Sequence, residues 1–417
     1  MGIVKQFSLF TLKSNLFWLL FGVALILRLV LVWVLPFGQT VKYGLEGLND
    51  EPSHYNYVKY LAENRQFPVQ TESSKSPGAF EHNVFEYYQA PLYYIVNALF
   101  VPLTGLKGTL YAGRMISWFF GILTLLILGN ILYLICPDKK IVASGVLLCA
   151  FFPAHIYFCS FVSNDSISWF AGIWLLYLIM SFDKLPEKKI GIYFSCISLV
   201  LAFAMMTKSS SFIYYPVVAY SFFYYFRKKG EIKLLWWAMA SIAFSLILVS
   251  PWYWRNLRLY GSFFAIDIGF GPPGSYLRSL DEIAHFVAET ARLFWFPMQH
   301  VPKDGILVNA LNVMGPMLIF LYVGLAIVDV SIRAWKRKLD IKEQILWLIL
   351  ILAVIAYIRL NISWANPEGR YLFTALASVI AIISASPVRL FSKRNVICHW
   401  GPAIVAGLYG YLYFLVI

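Results

Sequence analysis

Apolar runs of about 16 to 25 residues recur along the whole chain, and no other feature restricts its fold so tightly. A helix rises 1.5 Å per residue, so runs of this length cross a hydrocarbon core of ~30 Å. Within that core every backbone N–H and C=O must find a partner in the protein, which leaves helices or a closed barrel. The runs are continuously apolar rather than alternating, which selects helices. Charged residues make up only 13% of the chain, about half the share usual in soluble domains. The fold class is therefore an all-α polytopic membrane protein with about eleven transmembrane helices.

The eleven spans read as Leu16–Pro36, Gly113–Cys136, Ile141–Phe161, Ile167–Phe182, Ile190–Met206, Phe212–Phe226, Leu234–Tyr253, Ile306–Val330, Ile345–Leu360, Tyr371–Ser386 and Val396–Ile417. The first is too long for the apolar region of a signal peptide, and Pro36-Phe37-Gly38 offers no small-x-small cleavage pattern. A further apolar run, Pro91–Leu103, is too short to cross and reads as an interfacial or re-entrant helix. Charge supports that assignment. With Pro91–Leu103 not crossing, nineteen of the 34 basic residues and seven of the 21 acidic ones fall on one side. Fourteen of each fall on the other, and Arg28 lies within the first span. Basic residues in short loops mark the cytoplasmic side. The net charge of +13 is thus a topology signal rather than a nucleic-acid surface, and it places the N-terminus inside and the C-terminus outside.

The chain reads as one membrane domain, 1–417, with two long outer loops at 37–112 and 254–305 and no soluble C-terminal domain. The inner loops are too short for a nucleotide-binding domain, and neither a P-loop nor a Gly-rich dinucleotide motif is present. Chemistry is therefore expected on the outer face. The five cysteines lie in or beside apolar runs without metal or disulfide spacing, and read as buried free thiols.

The stretch "LNDEPSHYNYVKYLAENRQFP" sets Asp50 and Glu51 just outside the first span. Proline suits a first helical turn and an acidic residue suits the cap before it. His54, Tyr57, Val58 and Leu61 follow at helical spacing, as in an amphipathic helix lying on the membrane surface with tyrosines at headgroup depth. On this motif alone Asp50 is either a cap or a functional carboxylate. Asp165 in "SFVSNDSIS" is either a cap of the next span or a second site carboxylate. Lys208 in "MMTKSSSF" is a snorkelling anchor or a phosphate partner. Glu368 and Arg370 in "WANPEGRYLF" stand at the outer end of a span, where a guanidinium fork can clamp a phosphate or pair with its neighbouring acid. Together they place carboxylates and fixed cations on one side at membrane depth. A carboxylate can take a proton from an incoming hydroxyl, and cations can stabilise a departing phosphate. Arg28 in mid-span should face the bundle interior, and His155 reads as a packed histidine. His54, His82, His285 and His300 show no metal-ligand spacing.

The Asp-Glu pair, "YYQAPLYY", "GRMISWFFGILTLL", "FVSNDSIS", "PWYWRNLRLYG" and "GRYLFTAL" follow one another in that order. The chain thereby resembles, from Arg28 to about Leu376, the GT-C membrane glycosyltransferases that use polyprenyl-phosphate sugars. The protein O-mannosyltransferase and lipid A aminoarabinose transferase superfamily is the nearest in look. The resemblance implies inverting transfer of one hexosyl or pentosyl unit. It implies Asp50 as base, Asp165 as a second acidic site residue and Arg370 as a phosphate or donor contact, and Glu51, beside Asp50, is expected in a supporting role. Lys208, His54, Tyr88, Gln89, Arg255 and Glu368 join them as expected substrate contacts. The chain departs from the aminoarabinose transferases at Ser53, where they carry Arg, and at Gln89-Ala90-Pro91, where they carry Lys before the proline. The first-loop phosphate contact and that sugar are therefore not carried over, and the oligosaccharyltransferase branch is set aside for want of a soluble domain. The expectation is a glycosyltransferase of an inner or plasma membrane with its site outward. Its donor is a polyprenyl-phosphate sugar and its acceptor a lipid, protein or polysaccharide, with no nucleic acid. The sequence leaves room for a divalent cation without calling for one. The rival readings are a flippase or transporter of polyprenyl-linked glycans and a non-catalytic assembly subunit. A transporter would carry polar groups along its spans, and here Arg28 stands nearly alone.

Overall fold

The computed structural model describes residues 9, 12–35, 37, 50–70, 86–184, 189–270, 273–295, 306–336, 338–391 and 396–416. The described residues are mostly helical, with no strand among them. Three helices open it: α1 (Asn15–Val34), α2 (Glu51–Asn64) and α3 (Leu92–Ala98). A bundle follows, with α4 (Val101–Ile135), α5 (Lys139–Ala150), α6 (Pro153–Phe158), α7 (Asp165–Met180), α8 (Ile190–Met205), α9 (Tyr214–Lys229) and α10 (Lys233–Tyr260). After the short α11 (Ile266–Phe270) and α12 (Leu280–Trp295) come α13 (Ile306–Trp335), α14 (Ile341–Trp364), α15 (Leu376–Leu390) and α16 (Val396–Val416). Each of the eleven apolar runs falls on a helix or helix pair. Among the described residues, five stretches are long and apolar enough to cross a membrane by themselves: α1, α4, α10, α14 and the stretch 369–390 that ends in α15.

The run at Pro91–Leu103 divides. α3 is seven residues long, about 10 Å, a third of the hydrocarbon core. The rest of the run joins α4, which bends at Gly105, a residue with φ +66°. The helix opened by Asp50-Glu51-Pro52 exists, and its apolar face is turned to protein. Its His54, Tyr57 and Val58 are buried, and Tyr57 stacks on Tyr94 of α3 with ring centroids 4.0 Å apart. Packing against α3 thus accounts for the buried residues of its apolar face.

The third span departs from the single helix expected over Ile141–Phe161. Pro153 disfavours the αR conformation for the residue before it, and Phe152 adopts φ −71°, ψ 112°. α5 therefore ends at Ala150, deep inside the bundle, with carbonyls that α6 cannot satisfy. Arg28 of α1 supplies the partners. Its Nη2 donates to Cys149 O at 2.9 Å and to Ala150 O at 2.8 Å, and Nε donates to Ala150 O at 3.1 Å. Nη1 lies 2.9 Å from His155 Nδ1, and the His155 ring stacks on Trp169. A mid-span arginine is thus explained as the C-terminal cap of an interrupted helix, where its charge also meets the negative end of the helix dipole. Cys149 and Cys159 are buried free thiols, whereas Cys136 and Cys196 are partly exposed; the side chain of Cys398 lies outside the described residues.

At the end of the bundle where α4 stops and α14 starts, ion pairs tie three helices together. Arg333 of α13 donates to Glu343 of α14 at 2.7 Å. Arg389 of α15 reaches Glu343 at 2.8 Å and Asp329 at 3.5 Å. Asp340 caps α14 by accepting from Ile341 N at 2.6 Å, with Glu343 completing a capping box.

Candidate active site

At the opposite end, the N-termini of α2 and α7, the turn from α8 to α9, the C-terminus of α14 and the 3₁₀ stretch Gly369–Ala375 converge. They enclose a cavity of about 430 Å³. Asp50, His54, Glu86, Lys208 and Arg370 form its charged end. Phe212, Ile213, Phe264, Ile266 and Leu360 form an apolar wall continuous with it.

Arg370 organises the charged end. Its Nη2 donates to Asp50 Oδ2 at 2.5 Å and Nη1 lies 3.5 Å from Asp165 Oδ2. Nε contacts Glu368. The guanidinium also lies over the rings of Phe158, at 4.9 Å, and Tyr371, at 5.4 Å. Gly369 makes this placement feasible: a Cβ there would meet Phe294 Cα at 2.5 Å. Only glycine lets the α12 backbone come so close beside Arg370. Lys208 pairs with the other oxygen of Asp165 and sits over the Tyr371 ring at 5.6 Å. Two cations thus share three carboxylates.

Asp50 occupies the N-cap position of α2, yet its side chain makes no cap hydrogen bond. The Pro52 that follows has no N–H to offer, and Arg370 takes the carboxylate instead. Burial works to raise the Asp50 pKa, but the charges of Arg370 and then His54 outweigh it and hold the group below the ordinary carboxylate range. His54, one turn on, is buried, and burial lowers its pKa to about 4 against the opposing pull of Asp50 and Asp165. It is therefore neutral at pH 7, with Nδ1 2.7 Å from the Tyr94 hydroxyl. Glu368 is raised to about 7 by burial, with Arg370 opposing and the charges of Asp50 and Asp165 adding to the rise. Glu86 is likewise raised to about 7, by burial and then by Asp50.

The remaining sequence candidates separate. Asp165 is the first residue of α7, and Asn164 holds the cap position. Asp165 accepts from Ser163 Oγ at 3.2 Å and serves the cation pair behind the cavity wall. Tyr88 and Gln89 line the cavity. Gln89 donates to Glu86 at 2.5 Å and accepts from Asn164 Nδ2 at 2.5 Å, which locks the first loop to the start of α7. Arg255 lies apart, donating to Pro68 O at 2.5 Å and stacking over Trp252. Glu51 also points away. It is fully buried in an ion pair with Arg114, so the structure does not bring it to the cavity. His82 and His300 lie outside the described residues. Among the described residues no group of three or more His, Cys, Asp or Glu side chains is disposed to hold a metal ion.

Four residues at or beside the site escaped the sequence reading. Glu86 opens the segment "EYYQAP", and an acid directly before a non-crossing apolar run was its only signal. Tyr371 was hidden in the aromatic excess of the chain. Arg359 looked like one more basic residue near the end of a span. Arg114, inside the stretch "GRMISWFFGILTLL", carried no local signal of its buried partner Glu51.

A first loop carrying α2 and α3, a bundle behind it and a charged cavity where helix ends meet make up an all-α membrane fold that solved structures share. The chain is similar in fold to ArnT from Cupriavidus metallidurans bound to undecaprenyl phosphate. The TM-score is 0.57 at 13% identity over 94% of this chain and 63% of that one. It is also similar to the Archaeoglobus fulgidus oligosaccharyltransferase in its apo form, with a TM-score of 0.56 at 15% identity over 97% of this chain and 56% of that one. The archaeal oligosaccharyltransferase AglB in complex with an inhibitory peptide and a dolichol-phosphate gives 0.51 at 14% identity over 97% and 55%. The chain thus spans a little over half the length of these structures. The fold likeness extends to the oligosaccharyltransferases that the sequence reading had set aside. No protein-family model and no curated protein matches the sequence.

Proposed function

We propose that the protein transfers a sugar from a polyprenyl-phosphate carrier to an acceptor hydroxyl at the outer face of the membrane. One observation carries this reading: a single cavity joins a carboxylate-and-cation cluster to an apolar wall. A lipid-linked phosphate presents that pairing, an anionic head on an isoprenoid chain. The basic helix ends, at Lys139–Lys140, Arg227–Lys229, Arg333 and Arg389, lie at the end of the bundle away from the cavity. With those ends cytoplasmic, the cavity faces outward. ArnT with undecaprenyl phosphate and AglB with dolichol-phosphate bind ligands of this class, which supports the same donor class here.

In this reading Asp50 is the base. Of the three carboxylates that Arg370 holds it is the most exposed, 37% accessible, whereas Asp165 is 3% and Glu368 18% accessible. The acceptor oxygen attacks the anomeric carbon from the side opposite the phosphate, and its proton passes to Asp50. The bond from the anomeric carbon to the phosphate oxygen breaks, and its electron pair leaves with the polyprenyl phosphate. One displacement inverts the anomeric centre. A fixed cation lining the cavity offsets the charge that grows on the leaving phosphate, while Arg370 and Lys208 hold the carboxylates in place. The test is a turnover assay in lipid nanodiscs with a synthetic polyprenyl-phosphate sugar and candidate acceptors, read by mass spectrometry. Release of polyprenyl phosphate coupled to glycosylated acceptor is the expected result. Movement of intact lipid-linked sugar across vesicles, without transfer, would instead establish the transporter.

Arg370→Lys keeps the charge but loses the planar fork that reaches three carboxylates. Displaced by an ångström, Asp50 should lose on the order of 10² in turnover, with a smaller change in donor KM. Steady-state kinetics on the purified variant decides this. A loss confined to donor KM would assign Arg370 to the phosphate itself, and unchanged kinetics would remove it from the site.

A further inference from the structure

We infer that Arg359, on α14, is the residue that captures the phosphate of the lipid carrier, while Arg370 serves to hold the carboxylates. The inference rests on the carrier reading above and deepens it. Three basic side chains line the cavity: Lys208, Arg359 and Arg370. Two are already matched. Lys208 pairs with Asp165, and Arg370 contacts Asp50, Asp165 and Glu368 through all three of its nitrogens. A phosphate approaching Arg370 has to displace a carboxylate and then sit beside the ones that stay. Arg359 has no acidic partner within ion-pair distance among the described residues. Its recorded hydrogen bond runs from Nη1 to the neutral Ser363 Oγ, at 2.5 Å. That bond engages Nη1, and the residue as a whole is exposed.

Position agrees with charge. Ala353, Ala356, Tyr357, Leu360 and Trp364 of α14 line the same cavity at helical spacing. Two alanines on that face leave room for a ligand beside the helix. Arg359 lies five residues before the end of α14, about 7.5 Å along its axis. It is therefore set below the charged end and level with the apolar wall. A phosphate there would keep its isoprenoid chain against Phe212, Ile213 and Leu360 and direct its sugar toward Asp50. An arginine suits the task because its fork meets two phosphate oxygens at once.

An arginine near the end of a span can also serve bilayer phospholipids, and the experiment separates the two sources. Wild-type protein, Arg359→Gln and Arg370→Gln are placed in phosphatidylcholine nanodiscs. Each is titrated with undecaprenyl phosphate, with the neutral undecaprenol and with phosphatidylglycerol, and lipid occupancy is read by native mass spectrometry. The expected result is a wild-type preference for the phosphate over the alcohol that falls at least about tenfold in Arg359→Gln. Thermal stability should stay unchanged, because no ion pair is broken. Retention of the preference in Arg359→Gln overturns the inference and leaves the carrier reading standing, and its loss in Arg370→Gln alone returns the phosphate to Arg370. Equal occupancy by phosphatidylglycerol makes Arg359 a bilayer anchor and overturns the inference too. A wild type without any preference for phosphate over alcohol sinks both the inference and the carrier reading.

Discussion

Replacing Asp50 by asparagine should lower sugar transfer by about 10² to 10⁴, the usual contribution of a general base, in a protein that folds normally. The substitution is nearly isosteric. The amide oxygen can still accept from Arg370 Nη2, now 2.5 Å from the carboxylate. Asp165 and Glu368 remain to hold the guanidinium. What the amide cannot do is take a proton from the acceptor. The prediction therefore has two parts. Turnover of a synthetic polyprenyl-phosphate sugar collapses, while thermal unfolding and occupancy by undecaprenyl phosphate stay close to wild type. Near wild-type turnover would end the case for Asp50 as base. Lost turnover together with lost carrier binding would make Asp50 part of the binding site rather than the chemistry.

The spans were legible because hydrocarbon imposes a length and a composition that few other structures share. Gly105 and Pro153 were also visible, yet their consequences were not. A proline in an apolar run can be absorbed by a kink or can end the helix, and here the choice was made by Arg28, which lies 122 residues from the carbonyl it caps. The charged end of the cavity was largely readable, since Asp50, Asp165, Lys208 and Arg370 each punctuate the end of an apolar run on the same side. Their pairing was not readable. Arg370 and Asp50 are 320 residues apart, and no local pattern says which acid a given cation will choose. Glu86 and Arg359 were passed over for a related reason. A single charge beside a span is ordinary in sequence, and it becomes informative only when the fold shows whether a partner waits for it.

Glu51 shows the limit most sharply, because adjacency to Asp50 suggested a supporting role at the site. The helical turn that begins there sends the two carboxylates to different places. Asp50 faces the cavity, whereas Glu51 goes inward to Arg114. Its Oε1 accepts from Arg114 Nε at 2.7 Å and from Val162 N at 2.8 Å, and Oε2 accepts from Arg114 Nη2 at 2.5 Å. Arg114 Nη1 then donates to Val32 O and Leu35 O at 2.9 Å, the orphan carbonyls at the end of α1. One ion pair thus joins the end of α1, the start of α2, the wall of α4 and the segment leading to α7. Both side chains are buried to 1% exposure or less. Glu51→Gln leaves Arg114 charged in a dry interior without its counter-ion, a change that typically costs about 3–5 kcal/mol. The expected result is a large fall in unfolding temperature and in the yield of monodisperse protein, with activity lost in proportion to folded material. A second variant separates fold from chemistry. Glu51→Gln combined with Arg114→Met removes the stranded charge and should recover part of the stability lost in the single variant. A Glu51→Gln protein that melts like wild type but no longer transfers sugar would overturn this reading and return Glu51 to the chemistry beside Asp50.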